Sequence, residues 1–275
     1  MIPLRERIQW ALEEDIGAGD VTTAATVPKD RVGVAFAVTR ESCVVSGMEA
    51  FRLVYEILDP AVEVTVTHGD GSLVAPTTTV ATLRGPLRSI LTGERTALNL
   101  VQRLSGIATC THRLVKAVQG TGCAILDTRK TTPLWRDLEK AAVRHGGGRN
   151  HRFGLYDGVL IKDNHIAAAG GVRQAVENAR ARCSHLLRIE VEVDTVEQLR
   201  EALDAGVDVV MLDNFSLEQI RRAVSVADGR VLLEVSGGVT PQKVRAIAEC
   251  GVHFISVGAL THSAPAIDIG LDIPA

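Results

Sequence analysis

Basic side chains are concentrated in one stretch near the middle of the chain. Between residues 127 and 165 lie six potential cations, which are Arg129, Lys130, His151, Arg152, Lys162 and His165. Most of them follow or end apolar, strand-like segments, whereas the Lys and Arg residues of an ordinary surface are scattered and mixed with Glu. We therefore expect these side chains to converge on one pocket that binds a polyanion. The alternative is a solvated basic surface.

Other side chains that could bind or react also stand at the ends of strand-like segments. Glu192 and Asp213 end two of them and could bind a metal, stabilise a cationic intermediate or pair with Arg129 and Lys130. Loops of small residues follow two more segments, and their backbone N–H groups could bind phosphate at a helix start, or they could be plain turns. These loops contain Ser236, Gly237 and Gly238, and then Gly258 and Ala259.

Strand-like and helix-like segments alternate from residue 120 onwards, which predicts a parallel sheet covered by helices. An open dinucleotide-binding sheet would show Gly-x-Gly-x-x-Gly after its first strand, and 124–128 is not followed by that pattern. A barrel instead places functional residues after many strands, as here. The six strand candidates are 124–128, 158–162, 189–194, 209–213, 231–235 and 254–258. The helix candidates are 172–182, 196–205, 217–227 and 241–250, the last three capped by Thr195, Ser216 and Thr240.

The first part of the chain has a different pattern. A short amphipathic helix is expected over 4–14, and a β-rich region with one helix over 32–83. Gly85-Pro86 then begins a long apolar-faced helix. We therefore predict two domains, an α+β domain with its linking helix over 1–108 and an α/β barrel over 109–275.

Composition excludes several classes of protein. With 275 residues and a net charge of −3, the chain is not a general nucleic-acid binder. The five cysteines show no metal-ligand spacing, so we expect reduced thiols in the cytoplasm. No apolar run approaches the roughly 18 residues that a membrane span needs.

Several longer motifs, in this order, carry a family resemblance. They are Glu14–Thr22, Glu94–Ala108, Asp127–Pro133, Gly146–Arg152, Leu160–His165, Glu190–Asp194, Met211–Phe215 and Ser256–Thr261. Together they resemble the quinolinate phosphoribosyltransferase family over nearly the whole chain. The one local departure is Leu134-Trp135, where we expect Gly and an apolar residue.

The resemblance implies an incomplete barrel of fewer than eight strands and a pentosyltransferase of NAD biosynthesis. Its substrates would be quinolinate and 5-phosphoribosyl-1-pyrophosphate, with Mg²⁺ carried mainly by the donor, near Glu192 and Asp213, and no metal ligand assigned in the protein. It implies a homodimer, or a higher oligomer, in which Arg95 serves the neighbouring subunit's site. Catalysis would fall to Lys130, Glu192 and Asp213. Substrate binding would involve Thr128, Arg129, His151, Arg152, Lys162 and the two small-residue loops.

Two other functions are compatible with these patterns. One is a paralogue of the molybdenum-operon type that acts on another anionic base, although the intact Asn150-His151-Arg152 and Lys162–His165 favour the quinolinate enzyme. The other is a non-catalytic barrel that binds a phosphorylated metabolite. Such a barrel would keep the glycine loops but would not need Glu192, Asp213 and Arg95 together.

Overall fold

The structure is a computed structural model and describes residues 2–274. Its helices are α1 (Leu4–Ile16), α2 (Val21–Thr26), α3 (Met48–Leu58), α4 (Leu87–Ala117), α5 (Arg136–His145), α6 (Asp163–Ala169), α7 (Val172–Arg182), α8 (Val196–Asp204), α9 (Leu217–Ala227), α10 (Val244–Ala248) and α11 (Ala259–His262). Its strands are β1 (Val32–Thr39), β2 (Cys43–Val44), β3 (Glu63–Val66), β4 (Leu73–Val74), β5 (Thr79–Pro86), β6 (Ala124–Leu126), β7 (Val159–Ile161), β8 (Ile189–Val193), β9 (Val209–Asp213), β10 (Leu232–Ser236), β11 (Phe254–Ser256) and β12 (Ile269–Asp272).

The chain divides into two compact units that are not continuous in sequence. The first comprises 1–112, 132–147 and 263–275, and the second comprises 113–131 and 148–262. The predicted boundary at 108 differs from this division, because two later segments return to the first unit. The C-terminal strand β12 pairs with β1 in antiparallel register, Phe36 opposite Asp272. The start of α5 is held by Arg7, which binds Asp137 at 2.6 Å.

The first unit is built on a four-stranded antiparallel sheet in the order β12-β1-β5-β3. Alternation of side chains along β1 and β5 turns Ala35, Ala37 and Leu83 towards a core that also contains Phe51 and Tyr55 of α3. Val64 of the exposed strand β3 packs against the same core. This unit confirms the predicted α+β architecture.

The second unit contains an all-parallel sheet of six strands in the order β6-β11-β10-β9-β8-β7. Each strand is joined to the next along the chain through helical segments, and the strands are largely buried, as expected for a sheet covered by helices. Within residues 2–274, β6 and β7 end the hydrogen-bonded order, so the sheet is not closed. The prediction of a parallel α/β unit with fewer than eight strands is confirmed.

Two of the three predicted helix caps are confirmed. The side chains of Thr195 and Ser216 accept backbone N–H bonds from Gln198 and Gln219 at the starts of α8 and α9. The cap predicted at Thr240 is wrong. There the chain forms a turn in which the Thr240 carbonyl accepts the Lys243 and Val244 N–H groups, and α10 begins only at Val244.

None of the helices within residues 2–274 combines the length and the apolar character needed to cross a membrane.

The departure at Leu134 has a backbone consequence. Leu134 has φ of 66°, in the left-handed region that a Cβ disfavours by about 1–2 kcal/mol, and its side chain is 59% exposed. Leu134→Gly is therefore expected to raise the free energy of unfolding by about 0.5–1 kcal/mol, after the entropy cost of glycine. Urea denaturation measures this.

Leu155→Gly is the matched control for that variant. Leu155 is 73% exposed and is not among the residues with positive φ. At this position glycine adds only its entropy cost, so the free energy of unfolding is expected to fall by about 0.5–1 kcal/mol. Equal destabilisation of both variants would contradict a strained Leu134.

Candidate active site

One cavity of about 820 Å³ lies in the second unit, where all six parallel strands end. The strands β6 and β7, at opposite ends of the sheet, both send residues to it, so the sheet curves around the cavity. Its lining includes Thr128, Arg129, Lys130, His151, Arg152, Lys162, Glu192, Asp213, Ser236, Gly237, Gly238, Gly258 and Ala259. These are all of the candidate site residues except Arg95.

Two basic residues singled out in the sequence, Arg95 and His165, do not line this cavity. Arg95 is an exposed residue of α4 and belongs to the first unit. His165 is also exposed, and its Nδ1 accepts the backbone N–H of Lys162 at 3.0 Å, at the start of α6. The expectation that His165 joins the cationic cluster is therefore wrong, because the first helical turn directs its ring back to its own backbone.

Two guanidinium groups, those of Arg129 and Arg152, line the cavity and lie close enough to interact electrostatically. Burial lowers the pKa of Arg152, and the charge of Arg129 lowers it further. The Nε atom of Arg129 is buried and has no hydrogen-bond partner within the described part of the chain. Because two partly desolvated cations repel each other, an anion between them would be favourable, and each guanidinium can bind a carboxylate through two parallel bonds.

Two carboxylates line the cavity at the ends of β8 and β9. Glu192 is ion-paired with Lys162. Burial raises the pKa of Asp213, and the charge of Glu192 adds to the shift. Asp213 also accepts a hydrogen bond from the Asn214 side chain at 2.7 Å. The charges of Lys162 and Lys130 act on the pKa of Asp213 in the opposite direction, so the two carboxylates lie close to cations of the cavity.

The backbone around Lys130 is held at both sides. Its N–H donates to the Thr128 hydroxyl at 3.0 Å, and its carbonyl accepts the Thr261 hydroxyl at 2.7 Å. The Lys130 side chain crosses Gly258, where an added Cβ would come within 2.9 Å of its Cδ. The glycine at this position therefore lets the lysine side chain lie along the loop before α11.

The loop after β10 exposes backbone instead of side chains. Gly237 has φ of 87°, a conformation open to glycine, and both it and Gly238 line the cavity. Successive N–H groups in such a loop can bind an anion. We expected a helix to begin directly after this loop, but α10 begins only at Val244.

A buried polar layer lies below the cavity and was missed from the sequence. It contains Glu190 and Glu234, 7% and 2% exposed, next to His151. Since side chains alternate along a strand, Glu190 shares a face with Glu192, and Glu234 shares one with Ser236. Glu190 and Glu234 could have been found from the sequence, because each is a charged residue two positions before a site residue in an apolar strand. His262 also lines the cavity and was missed.

The chain matches known proteins over nearly its full length. The model of the quinolinate phosphoribosyl transferase C-terminal domain matches residues 107–272, and that of the N-terminal domain matches residues 20–105. The probable carboxylating nicotinate-nucleotide pyrophosphorylase of Bacillus subtilis is 42% identical over 272 residues, 99% of this chain and 94% of that protein. The carboxylating nicotinate-nucleotide pyrophosphorylase of Mycobacterium leprae is 45% identical over 275 residues, 98% of this chain and 96% of that protein.

Solved structures agree with the sequence matches. The nicotinate-nucleotide pyrophosphorylase of Francisella tularensis superposes with a TM-score of 0.94 at 42% identity, over 100% of this chain and 98% of that one. The enzyme of that name from Ehrlichia chaffeensis gives a TM-score of 0.95 at 39% identity, over 99% of both chains. Both domain models, these relatives and the cationic cavity lead to one assignment: the chain belongs to the quinolinate phosphoribosyltransferase family.

Proposed function

We propose that this protein transfers the phosphoribosyl group of 5-phosphoribosyl-1-pyrophosphate to quinolinate. The products are nicotinate mononucleotide, pyrophosphate and carbon dioxide. The observation that carries the proposal is one cavity lined by Arg129, Lys130, Arg152 and Lys162 together with the carboxylates Glu192 and Asp213. A dicarboxylate acceptor and a polyphosphate donor match these charges. The names of the full-length relatives support the same reaction.

The acceptor would lie at the guanidinium end of the cavity. Quinolinate has two adjacent carboxylates, and Arg129 and Arg152 are placed to bind carboxylates. Lys162 adds a third cation, oriented by Glu192. Without a ligand these cations repel each other, so a substrate with two negative charges gains more than one with a single charge.

The donor would lie at the end formed by Lys130 and the small-residue loops. Lys130 is placed for the pyrophosphate, and the N–H groups of Gly237 and Gly238 for the 5-phosphate. Bound Mg²⁺ would neutralise charge on the departing pyrophosphate. Asp213 is the carboxylate that fits this cation. Glu192 is already paired with Lys162, whereas a bound cation would favour the ionised form of Asp213 and oppose the burial and the Glu192 charge that raise its pKa.

The chemistry then needs little beyond charge placement. The ring nitrogen of quinolinate forms a bond to the anomeric carbon as the bond to pyrophosphate breaks. Glu192 and Asp213 stabilise the positive charge that develops on the ribose. The ring nitrogen is now cationic, so the adjacent carboxylate can leave as carbon dioxide while its electron pair stays on the ring carbon. That carbon then takes a proton from solvent.

A homodimer is the smallest assembly that we propose for activity. The cavity-lining residues lie in the second unit, whereas Arg95 is an exposed cation of the first unit. In the family that the chain belongs to, the matching arginine is expected to reach the substrate carboxylate of the neighbouring subunit. Arg95 would then be the additional cation for the acceptor.

Acceptor competition tests the reaction. Release of pyrophosphate and of carbon dioxide is expected to require quinolinate, the donor and Mg²⁺ together, and to stop when a chelator removes the metal. Nicotinate, with one carboxylate fewer, would leave buried cations unpaired and is expected to react at least about 100-fold more slowly. Both products are measured at matched concentrations of quinolinate, nicotinate and nicotinamide. Comparable turnover of nicotinate would refute the proposed acceptor.

A further inference from the structure

Three ionisable side chains form a buried cluster directly below the cavity. One ring nitrogen of His151 and one oxygen each of Glu190 and Glu234 lie within 4.8 Å of one another. The Nε2 atom of His151 is 3.0 Å from Glu190 and 3.7 Å from Glu234. The cluster touches the cavity only through His151, whose side chain is 13% exposed. None of the reaction steps above uses the two carboxyl groups.

The hydrogen bonds of His151 determine which nitrogen carries its proton. The backbone N–H of Arg152 donates to Nδ1 at 2.7 Å, so Nδ1 offers a lone pair. The proton is then on Nε2, which donates to Glu190 at 3.0 Å. Both ring nitrogens are thus engaged, Nδ1 by the backbone of Arg152 and Nε2 by Glu190.

Neighbouring groups leave room for only one ionised carboxylate. The charge of Glu190 acts on Arg152, which Arg129 repels. The other polar and titratable neighbours are Ser256 on β11, Cys123 before β6, and Asp127, which binds the backbone N–H of His151. None of these three is a cation. Burial, followed by the charge of Glu190, raises the pKa of Glu234 to about 8, and the opposing effects of the His151 charge and of a hydrogen bond from Ser256 are smaller.

Unsatisfied atoms point to a proton between the carboxyl groups. Among residues 2–274, one oxygen of Glu190, one oxygen of Glu234 and the Ser256 hydroxyl are buried without a hydrogen bond of good geometry. The Glu234 carboxyl nevertheless lies close enough to Glu190 and Ser256 for both to affect its pKa through hydrogen bonding. Carboxylate oxygens only accept, so two ionised groups cannot satisfy each other. A proton on either one makes it a donor to its neighbour. The same proton removes the repulsion between them.

We propose that Glu190 and Glu234 share one proton and are positioning residues that act through His151 and Arg152. The floor below the guanidinium groups then carries a single negative charge when a dianion binds. Loss of the proton adds a second negative charge, which draws Arg152 towards the floor and repels the acceptor. The inference rests on the proposed function, because that acceptor is quinolinate.

The test is the pH profile of the Michaelis constant for quinolinate, between pH 6 and about 9.5. In the wild-type enzyme this KM is expected to rise roughly tenfold per pH unit above about pH 8, with a smaller change in kcat. Because the proton is shared, Glu190→Gln and Glu234→Gln should each abolish the rise. At neutral pH both variants should keep KM within about threefold of wild type, since the remaining carboxylate carries the one charge.

Glu218→Gln is the matched control, since Glu218 is an exposed glutamate of α9 and should keep the alkaline rise. A purely structural role for the pair would lower the melting temperature of the variants without changing the pH profile, and would overturn the proposal. The proposal would also be overturned if the wild-type KM for quinolinate did not change with pH, or if its alkaline rise persisted in both folded variants.

Infrared spectroscopy of the wild-type protein covers the case in which the glutamine variants do not fold. The carbonyl stretch of one buried carboxylic acid should be present at neutral pH and disappear above about pH 8. Its absence at neutral pH would overturn the shared proton. This measurement uses no substrate, so it separates the two proposals. If the band titrates but the protein does not turn over quinolinate, the proposed reaction is refuted and the shared proton of Glu190 and Glu234 is supported.

Discussion

Replacing Lys130 or Glu192 by alanine is expected to lower turnover at least about 100-fold, which is the scale for losing one electrostatic contact to a transition state. Lys130 is held by backbone bonds on both sides and lies over Gly258, so its ammonium group has a defined position for the departing pyrophosphate. Glu192 faces the cavity from the end of β8 and orients Lys162.

The two losses should differ in kind. Without Lys130, the developing negative charge on pyrophosphate loses a cation, and kcat should fall more than KM changes. Without Glu192, the ribose loses a stabilising carboxylate and Lys162 loses its partner, so kcat should fall and KM for quinolinate should also change. Steady-state kinetics at saturating donor separate these effects.

Two controls make the result specific. Lys29→Ala and Glu218→Ala remove the same residue types from exposed positions and should leave turnover within about twofold of wild type. The melting temperature of each variant shows whether the protein is folded. Near-normal turnover in a folded Lys130→Ala or Glu192→Ala protein would refute the assigned role of that residue.

Mixing two inactive variants is expected to restore activity. Arg95→Ala should lack the cation donated to the neighbouring subunit, and Lys162→Ala should lack the resident cation of its own cavity. In a mixed dimer with an isologous interface, one site carries both lesions and the other carries neither. With random exchange about half of the dimers are mixed, so activity should return to roughly a quarter of wild type.

The experiment depends on demonstrated subunit exchange. Differently tagged variants can be mixed, allowed to exchange and captured through both tags in turn, and the captured dimers assayed directly. As a control, Arg129→Ala mixed with Lys162→Ala should show no recovery, because both residues line the same subunit's cavity. Absence of recovery in captured Arg95→Ala and Lys162→Ala dimers would mean that Arg95 does not serve the partner subunit.

Much of the fold could be predicted from local sequence. The helices α7 and α9 begin and end at the predicted residues, because their apolar spacing is helical throughout. The parallel strands were found as apolar runs, and their ends marked the cavity because the carboxyl ends of parallel strands meet on one side of a barrel. The convergence of Lys130, Lys162 and Asp213 therefore follows from the order of short patterns along the chain.

Pairings between distant segments could be decided only by the tertiary structure. Strand β12 lies near the end of the chain but pairs with β1, which lies near its beginning. No local pattern specifies which sheet edge pairs with a short strand. Thr240 resembles a helix cap, but its loop folds as a turn beside the cavity and delays α10. His165 resembles a site residue, but its ring binds its own backbone.

The ionisation of the buried layer likewise depends on three-dimensional neighbours. From the sequence, Glu190 and Glu234 are charged residues in otherwise apolar strands, and more than forty residues separate them. Only the parallel alignment of β8, β9 and β10 brings both carboxyl groups next to His151. Residue types and their order along the chain therefore predict a cationic site for anions. The charge below that site is determined by burial and by distances of a few ångströms, which arise only when the sheet has formed.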